Sequence, residues 1–555
     1  MTRNGGDFPV AAMLAAFGRR KLATIPLRSA HDGLQRTLTT YDLIGYGCGC
    51  TLGAGIYSLL GSGVKVAGPA IVLSFLLAAS ACLLTGLAYC EFASRSPVAG
   101  SAYTYAYCSF GELAAWIIGW NLTLEYAIGS AAVARGWAEY SELLAHELGV
   151  PVPPSLYHPE SVGLSAHWSP AAGLLIIGCT LALLRGAKSS SRVNLLITGC
   201  NLAVLAFTVC AGLSVADPAN NWSEAEGGFA PHGGGGVLRG AGAVFFAYVG
   251  FDMVSSLAEE VVEPQKALPR GILGSLLICA AAYSLVSAVF TSMLPQAQLA
   301  AAPAAPLAFA FRAHGMHGCA LLVSFGSTLG LTAATLTGLM GQPRIFYVMA
   351  RDGLLPPSLG KCDERGVPWL ATVLTGALTA LLATVTPLQT LADAISIGTL
   401  LAFSAVNAGV LVLRYGGDGS GGGGGGGSDA AVAPIVGYCF AVNAASVSAM
   451  GLGAPFAGAA CGFAAVACLA KLALIPLPPP PPPRSKPGGG DAEGSFVCPW
   501  LPWLPCTAIA LNAAMIGGLS PTAWLRVAVW SALGLAIYLG YGVPHSAAGS
   551  VNPTR

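Results

Sequence analysis

Fourteen stretches of about twenty apolar residues divide the chain, at approximately 41–62, 69–90, 112–135, 169–185, 192–214, 237–260, 269–293, 315–342, 367–386, 389–413, 431–453, 455–475, 498–519 and 522–542. Each is long enough for a helix to cross the ~30 Å hydrocarbon layer of a bilayer. In that solvent every backbone N–H and C=O has to find a partner inside the protein, and segments of this length do so as helices. Only 9% of the 555 residues are charged and 54% are hydrophobic, against about 25% charged in an average soluble protein. The expected fold class is therefore an all-α polytopic membrane protein with about 14 transmembrane helices. A formal net charge of +1 gives no reason to expect nucleic acid as a partner.

Lys and Arg set the direction of insertion. With the N-terminus on the cytoplasmic side, 21 basic residues fall inside, and five, Lys65, Arg135, Arg239, Arg312 and Arg526, fall outside or at outer helix ends. No cleavable signal is expected, since six basic residues precede a first apolar run that opens only near Leu43. Asn221-Trp222-Ser223 matches a glycosylation acceptor and falls in the outer loop between the fifth and sixth runs. Most of the 16 cysteines lie inside apolar runs, so a disulfide framework is not expected. Cys48 and Cys50 have no His or Asp beside them and read as small packing residues rather than metal ligands. No Walker-type loop appears, and no cofactor or metal is implied.

Two low-complexity segments divide the chain. The expected units are a cytoplasmic segment 1–38, a ten-helix core 39–415, a Gly-rich linker 416–430 and a helix pair 431–475. A Pro/Gly-rich linker 476–497, a second pair 498–542 and a tail 543–555 follow. The proline run Pro478–Pro483 offers a docking point for a partner protein, although a spacer role is the better reading.

Glycine costs a helix roughly 1 kcal/mol relative to Ala, yet Gly45, Gly47, Gly49, Gly53 and Gly55 gather inside the first run. Close helix packing is one explanation. The other is an interruption at Thr51, Leu52, Gly53, Ala54 and Gly55, leaving free N–H groups on one half-helix and free C=O groups on the other. Those ends suit the carboxylate and ammonium of a small zwitterion. The sixth run repeats the pattern in Phe246, Ala247, Tyr248, Val249, Gly250 and Phe251, with Asp252 next. Runs one and six open two consecutive blocks of five, and an odd number of crossings inverts the second block. Interrupted helices at corresponding positions mark the binding site of inverted-repeat transporters.

Away from their ends the runs hold two ionisable side chains, Glu125 and Asp252. A charge at that depth costs ~2.5–3.5 kcal/mol on insertion scales and marks a functional position by default. Glu125 reads as a counter-charge for a cationic substrate, or as a protonated group bonded to Asn121 one turn back. Asp252 reads as a cap on the lower half of the sixth helix. Glu259 and Glu260, with Lys266 and Arg270 just beyond, are candidates for gating ion pairs. Glu91 and Arg95 read as a surface pair.

Several of these stretches resemble the cationic amino acid transporter branch of the amino acid–polyamine–organocation superfamily. They are Thr39-Thr40-Tyr41-Asp42-Leu43, Thr51-Leu52-Gly53-Ala54-Gly55-Ile56-Tyr57, Pro97-Val98-Ala99-Gly100-Ser101, Ala247-Tyr248-Val249-Gly250-Phe251-Asp252, Glu259-Glu260-Val261 and Pro264-Gln265-Lys266-Ala267-Leu268-Pro269. Pro343-Arg344 and Asp352-Gly353-Leu354-Leu355 extend the match. The resemblance implies a 5+5 inverted-repeat, LeuT-like core. It also implies a substrate α-carboxylate on the first helix and an α-amino group on carbonyls of the first and sixth. In proton-coupled relatives a fifth-helix lysine occupies the coupling position. Here that place falls near Asn201, which cannot titrate. The functional expectation is a transporter, not an enzyme, for amino acids of cationic type (Arg, Lys, ornithine), in a plasma or vacuolar-type membrane. Broad or neutral amino acid transport, or amino acid sensing on a transporter fold, are the alternatives.

Overall fold

The computed structural model describes Arg19 and residues 36–547, apart from 99, 158–159, 161–162, 164, 166, 186–189, 225–226, 301–304, 365, 417–425, 452–453, 477–495 and 520. Most of segment 1–38, most of both linkers with the proline run, and tail residues 548–555 thus lie outside the described residues. Helical segments occupy each of the apolar runs. Nine helices among the described residues are long and apolar enough to cross a bilayer, and three shorter apolar helices accompany them. The molecule is an all-helical polytopic membrane protein.

The first run is broken into α1 (Thr40–Thr51), α2 (Ala54–Tyr57) and α3 (Leu59–Ala67). Thr39 starts α1 in a capping box: its side chain accepts from the Asp42 amide, and Asp42 Oδ2 accepts from the Thr39 N–H at 2.9 Å. The near face of the molecule is defined here as the one bearing this start. The chain continues through α4 (Ile71–Arg95), α5 (Ser101–Ser109), α6 (Glu112–Glu147), α7 (Pro170–Leu184) and α8 (Ser190–Leu213). The sixth run forms α9 (Gly233–Val244) and α10 (Met253–Ser256). Then come α11 (Pro264–Met293), α12 (His317–Arg351), α13 (Trp369–Val385) and α14 (Leu388–Gly416). Four more follow: α15 (Gly426–Ser446), α16 (Pro455–Leu474), α17 (Trp503–Gly517) and α18 (Pro521–Ile537).

Packing pairs the helices of the first four runs with those five runs later, whereas α8 of the fifth run packs on α12, α1 and α11. α4 lies on α11, α6 on α12, α7 on α13, and α2 and α3 on α9 and the turn that ends it. Small residues permit the approach. A side chain at Gly86 of α4 would meet Leu276 of α11 at 2.9 Å, and one at Gly338 of α12 would meet Ser130 of α6 at 2.8 Å. The last helices clasp this core. α17 packs on α14 and α4, and α18 on α6.

Buried polar anchors fasten the near face. Glu112, fully buried at the start of α6, accepts from Tyr107 at 2.8 Å, Tyr538 at 3.0 Å and Ser546 at 2.5 Å. The Ala547 amide donates to the Asp352 carbonyl at 2.9 Å, and Tyr103 donates to the Asp352 carboxylate at 2.6 Å. Glu91 corrects the expectation of a surface pair. It is fully buried, bonds Arg95 at 2.6 Å, accepts the Cys498 amide at 2.8 Å and lies 4.0 Å from Arg414. The apolar α14 and the chain entering α17 cover it, which the four-residue spacing of an acid and a base does not foretell.

Candidate functional site

Both glycine-bearing runs are interrupted, and the two interruptions touch. α1 stops at Thr51 and Leu52 leaves helical geometry (φ −73°, ψ 63°) before α2 begins at Ala54. α9 tightens into a 3-10 turn over Phe245–Tyr248, Val249 is extended (φ −66°, ψ 130°), and Gly250 lies at φ +132°. That φ is open to glycine and strained for other residues. A Cβ on Gly250 would also press on the Cys50 backbone at 3.0 Å, and one on Gly55 would collide with the Ala247 backbone. The glycines are therefore required by backbone-to-backbone contact.

Two polar side chains hold the broken strands. The Tyr283 hydroxyl of α11 stands 2.5 Å from the Thr51 carbonyl and 2.9 Å from the Ala247 carbonyl. Asn201 of α8 accepts from the Tyr57 hydroxyl and donates to the Leu52 carbonyl at 3.3 Å. The position singled out for coupling thus lies against the first interruption.

Beside the interruptions is a cavity lined by Thr51, Gly53 and Gly55, by Phe246 and Val249, by Glu125 and Val133 of α6, and by Ala334 and Gly338 of α12. Its volume is about 20 Å³, and one water needs about 10–15 Å³. As it stands the cavity has room for about one water molecule. Leu52, Ala247, Tyr248, Gly250 and Phe251 are not among its lining residues. Tyr248 packs edge-on against Tyr283, Phe251 against Tyr89 and Phe403, and Ala247 against Gly55. Their contribution is to the backbone path.

The two carboxylates of the interior are unequal. Asp252 accepts from the Tyr126 hydroxyl at 2.6 Å and from the Gly250 amide at 3.2 Å. It therefore braces the interruption from the side, and does not cap the amides of α10. Glu125, 3% exposed, has no hydrogen-bond partner on either oxygen among the described residues. Asn121 turns instead to the Ile117 carbonyl at 2.9 Å. A buried acceptor without a partner costs ~1–3 kcal/mol; the Thr399 hydroxyl of α14 is near enough to act on Glu125 but donates to the Ile395 carbonyl at 3.1 Å, which leaves Glu125 with capacity for a further donor.

An ion pair ties α12 to the segment that follows α10. Arg344 of α12 bonds Glu260 at 2.7 Å and 3.2 Å. The Glu260 carbonyl also takes the amides of Thr37 and Leu38, and Leu38 bridges to Val261. From below, Ser101 at the head of α5 donates to the Asp252 carbonyl at 3.4 Å and accepts from Ser255 at 2.8 Å. Glu259 lies beside Glu260, while Lys266 and Arg270 are exposed at the start of α11. Arg344, Tyr126 and Tyr283 were not anticipated. Tyrosines at mid-depth of apolar runs were the available signal, because a buried hydroxyl needs a partner. Asn221, the expected glycosylation acceptor, packs against the end of α11. Its side chain is buried and donates to the Ser292 carbonyl at 2.8 Å.

Two interrupted helices in mutual contact beside a buried carboxylate, in an all-helical membrane protein, are the features of a membrane transporter. A family model described as amino acid permease matches residues 38–474, and one described as the C-terminus of AA_permease matches 496–546. The chain belongs to the amino acid permease family. It is 40% identical to the branched-chain amino acid permease BcaP of Bacillus subtilis, over 70% of this chain and 83% of the relative. It is 35% identical to the vacuolar cationic amino acid transporter 4 of Arabidopsis thaliana, over 92% of each chain. To cationic amino acid transporter 4 of Mus musculus it is 34% identical, over 97% of this chain and 92% of the relative.

Proposed function

We propose that the protein carries cationic amino acids, arginine, lysine or ornithine, across a membrane by alternating access, with its near face cytoplasmic. The observation that carries the reading is Glu125, a buried carboxylate at the cavity wall with both oxygens unpartnered among the described residues. A guanidinium or ammonium on the substrate would satisfy it, while the interrupted helices receive the α-carboxylate and α-ammonium. The relatives named cationic amino acid transporters, which align over nearly the whole chain, support the same substrate class. The excess of basic residues on the near face supports the orientation. Asn201 is the reason to place coupling elsewhere than on a fifth-helix proton carrier, because an amide does not titrate. An inside-negative potential alone supplies ~2.3 kcal/mol per charge per 100 mV, enough for a uniporter to accumulate a cation.

A second reading is transport of neutral, branched amino acids. The apolar wall of Val133, Phe246 and Val249 and the 40% identity to a branched-chain permease favour it. Purified protein in liposomes separates the two. Labelled arginine should enter faster than labelled leucine, and Glu125→Gln should cut arginine uptake at least about tenfold, the worth of one charge-assisted contact. Leucine uptake above arginine uptake, unaffected by Glu125→Gln, would replace the first reading with the second. Absence of flux for every amino acid would remove both.

A further inference from the structure

We propose that Ser101 at the head of α5 is a strained catch: it keeps a left-handed backbone only while bonded to α10, and relaxes when α10 moves off to open the cavity to the near face. The inference rests on the alternating-access reading above and adds a residue outside the cavity wall.

Ser101 opens α5 at φ +47°. Among the described residues, only Trp500 shares with it a positive φ outside glycine. A side chain disfavours that region by a factor of about 5–30 relative to glycine. Such residues persist only where their surroundings over-determine them, and they cluster at ligand clamps and switch regions. Here the contacts that impose the conformation are polar and few. The fully buried Ser101 hydroxyl donates to the Asp252 carbonyl at 3.4 Å and accepts from the Ser255 hydroxyl of α10 at 2.8 Å. Ser255 also stands 2.6 Å from the Asp252 carbonyl, so the three groups form one closed set.

The two sides of the catch are anchored unequally. Beyond Ser101, α5 is pinned along its length. Tyr103 donates to the Asp352 carboxylate at 2.6 Å, Tyr105 stacks on Phe92 of α4 with centroids 4.6 Å apart, and Tyr107 donates to Glu112 at 2.8 Å. All three rings are buried. α10, by contrast, is four residues long, with the extended Val249 and Gly250 on one side and a 3-10 turn over Ala258–Glu260 on the other. A displacement of α10 therefore breaks contact at Ser101 while the rest of α5 stays in place. Ser101 then loses the bonds that offset its φ, and the released strain favours the open arrangement.

A fixed turn and a catch make different forecasts. Ser101→Ala and Ser101→Gly both remove the hydroxyl, but only the second removes the steric objection to φ +47°. If position 101 keeps this φ throughout, glycine favours both arrangements alike and the two variants open equally. Opening is read in the full-length protein as the labelling rate of the native Cys50, which lines the cavity. A membrane-impermeant maleimide is added to vesicles, and peptide mass spectrometry separates Cys50 from the other cysteines. Cys362, exposed in the loop after α12, verifies that the near face is outward and serves as the internal standard. Ser101→Ala should label at Cys50 at least about fivefold faster than Ser101→Gly. Equal rates, or the reverse order, overturn the proposal. If Ser101→Ala does not fold, Ser255→Ala leaves Ser101 intact and removes the bond from α10. It should speed Cys50 labelling about fivefold over wild type, and an unchanged rate overturns the proposal. Cys50 that stays unlabelled in wild type and in every variant, while Cys362 reacts, defeats alternating access and the catch with it. Cys50 labelling that does not distinguish the variants defeats only the catch.

Discussion

Trp120 and Trp530 exchange their indole hydrogen bonds. Each ring N–H donates to the other residue's carbonyl, at 2.9 Å and 3.1 Å, and the rings stack with centroids 4.5 Å apart. Trp116 adds a bond to the Gly534 carbonyl at 2.9 Å, and a side chain at Gly534 would run into Trp120. α18 is in this way keyed to α6, the helix that presents Glu125. Trp530→Ala should cost about 3 kcal/mol of stability and Trp530→Phe about 1–2, the first losing stacking and the N–H bond and the second the N–H bond and part of the stacked ring. Thermal midpoints of the detergent-solubilised variants measure the order. A midpoint for Trp530→Ala equal to wild type would show that α18 is held by other contacts.

The Arg344–Glu260 pair predicts a compensating exchange. Their side chains are 14% and 19% exposed, shielded enough that breaking the pair leaves a poorly solvated charge, worth about 3 kcal/mol. Glu260→Arg and Arg344→Glu should each destabilise the closed near face, and the double exchange should recover at least half of the loss. Cysteine labelling of the cavity from the near face reports opening. Additive effects in the double variant would mean that the pair does not act as a latch.

At Gly55 the forecast is failure without rescue. A methyl group there collides with the backbone of Ala247 as well as its side chain. Gly55→Ala should abolish uptake while leaving insertion and expression intact. Adding Ala247→Gly should not restore it, since the obstructing main chain remains. Recovery in the double variant would show that the two interruptions are not in backbone contact.

Glu139 gives a pH dependence. It lies 27 residues beyond Glu112 on α6, roughly 40 Å along the axis at 1.5 Å per residue, past the ~30 Å hydrocarbon layer. Burial pushes its carboxyl up to about 8, against the opposing pull of Arg135 and with Glu142 adding to the rise. A carboxyl raised on folding favours the folded state at low pH, where both states are protonated. That contribution is fully present below about pH 4.5 and is lost as pH rises towards 8. The thermal midpoint should fall across that window, and Glu139→Gln should flatten the fall. An identical slope in the variant would assign the dependence to another group.

Much of the fold was legible from residue type alone. Apolar runs located the helices, and the coincidence of Gly53 and Gly55 with Gly250 located both interruptions, because glycine at mid-depth has a cost that needs a reason. Glu125 and Asp252 stood out for the same cause. Their division of labour did not. Nothing in the sequence says that Tyr126 brings its hydroxyl to Asp252 and leaves Glu125 bare, since that is settled by the rotation of α6 against the turn before α10. Arg344 was hidden among residues of a helix end, and its acid is 84 positions away. The burial of Glu91 and Asn221 was equally out of reach, as it depends on which distant segment lies over them.

The anchoring of Glu112 sets a timetable for assembly. One partner, Tyr107, is five residues away, but Ser546 is separated from it by 434. At about 5–20 residues per second, translation of that interval takes roughly 20–90 s. Through that time the carboxylate at the head of α6 waits, incompletely satisfied, for the end of the chain to arrive. A nascent transporter released before its last helix is inserted would carry this gap into the bilayer, and cellular quality control could recognise it there.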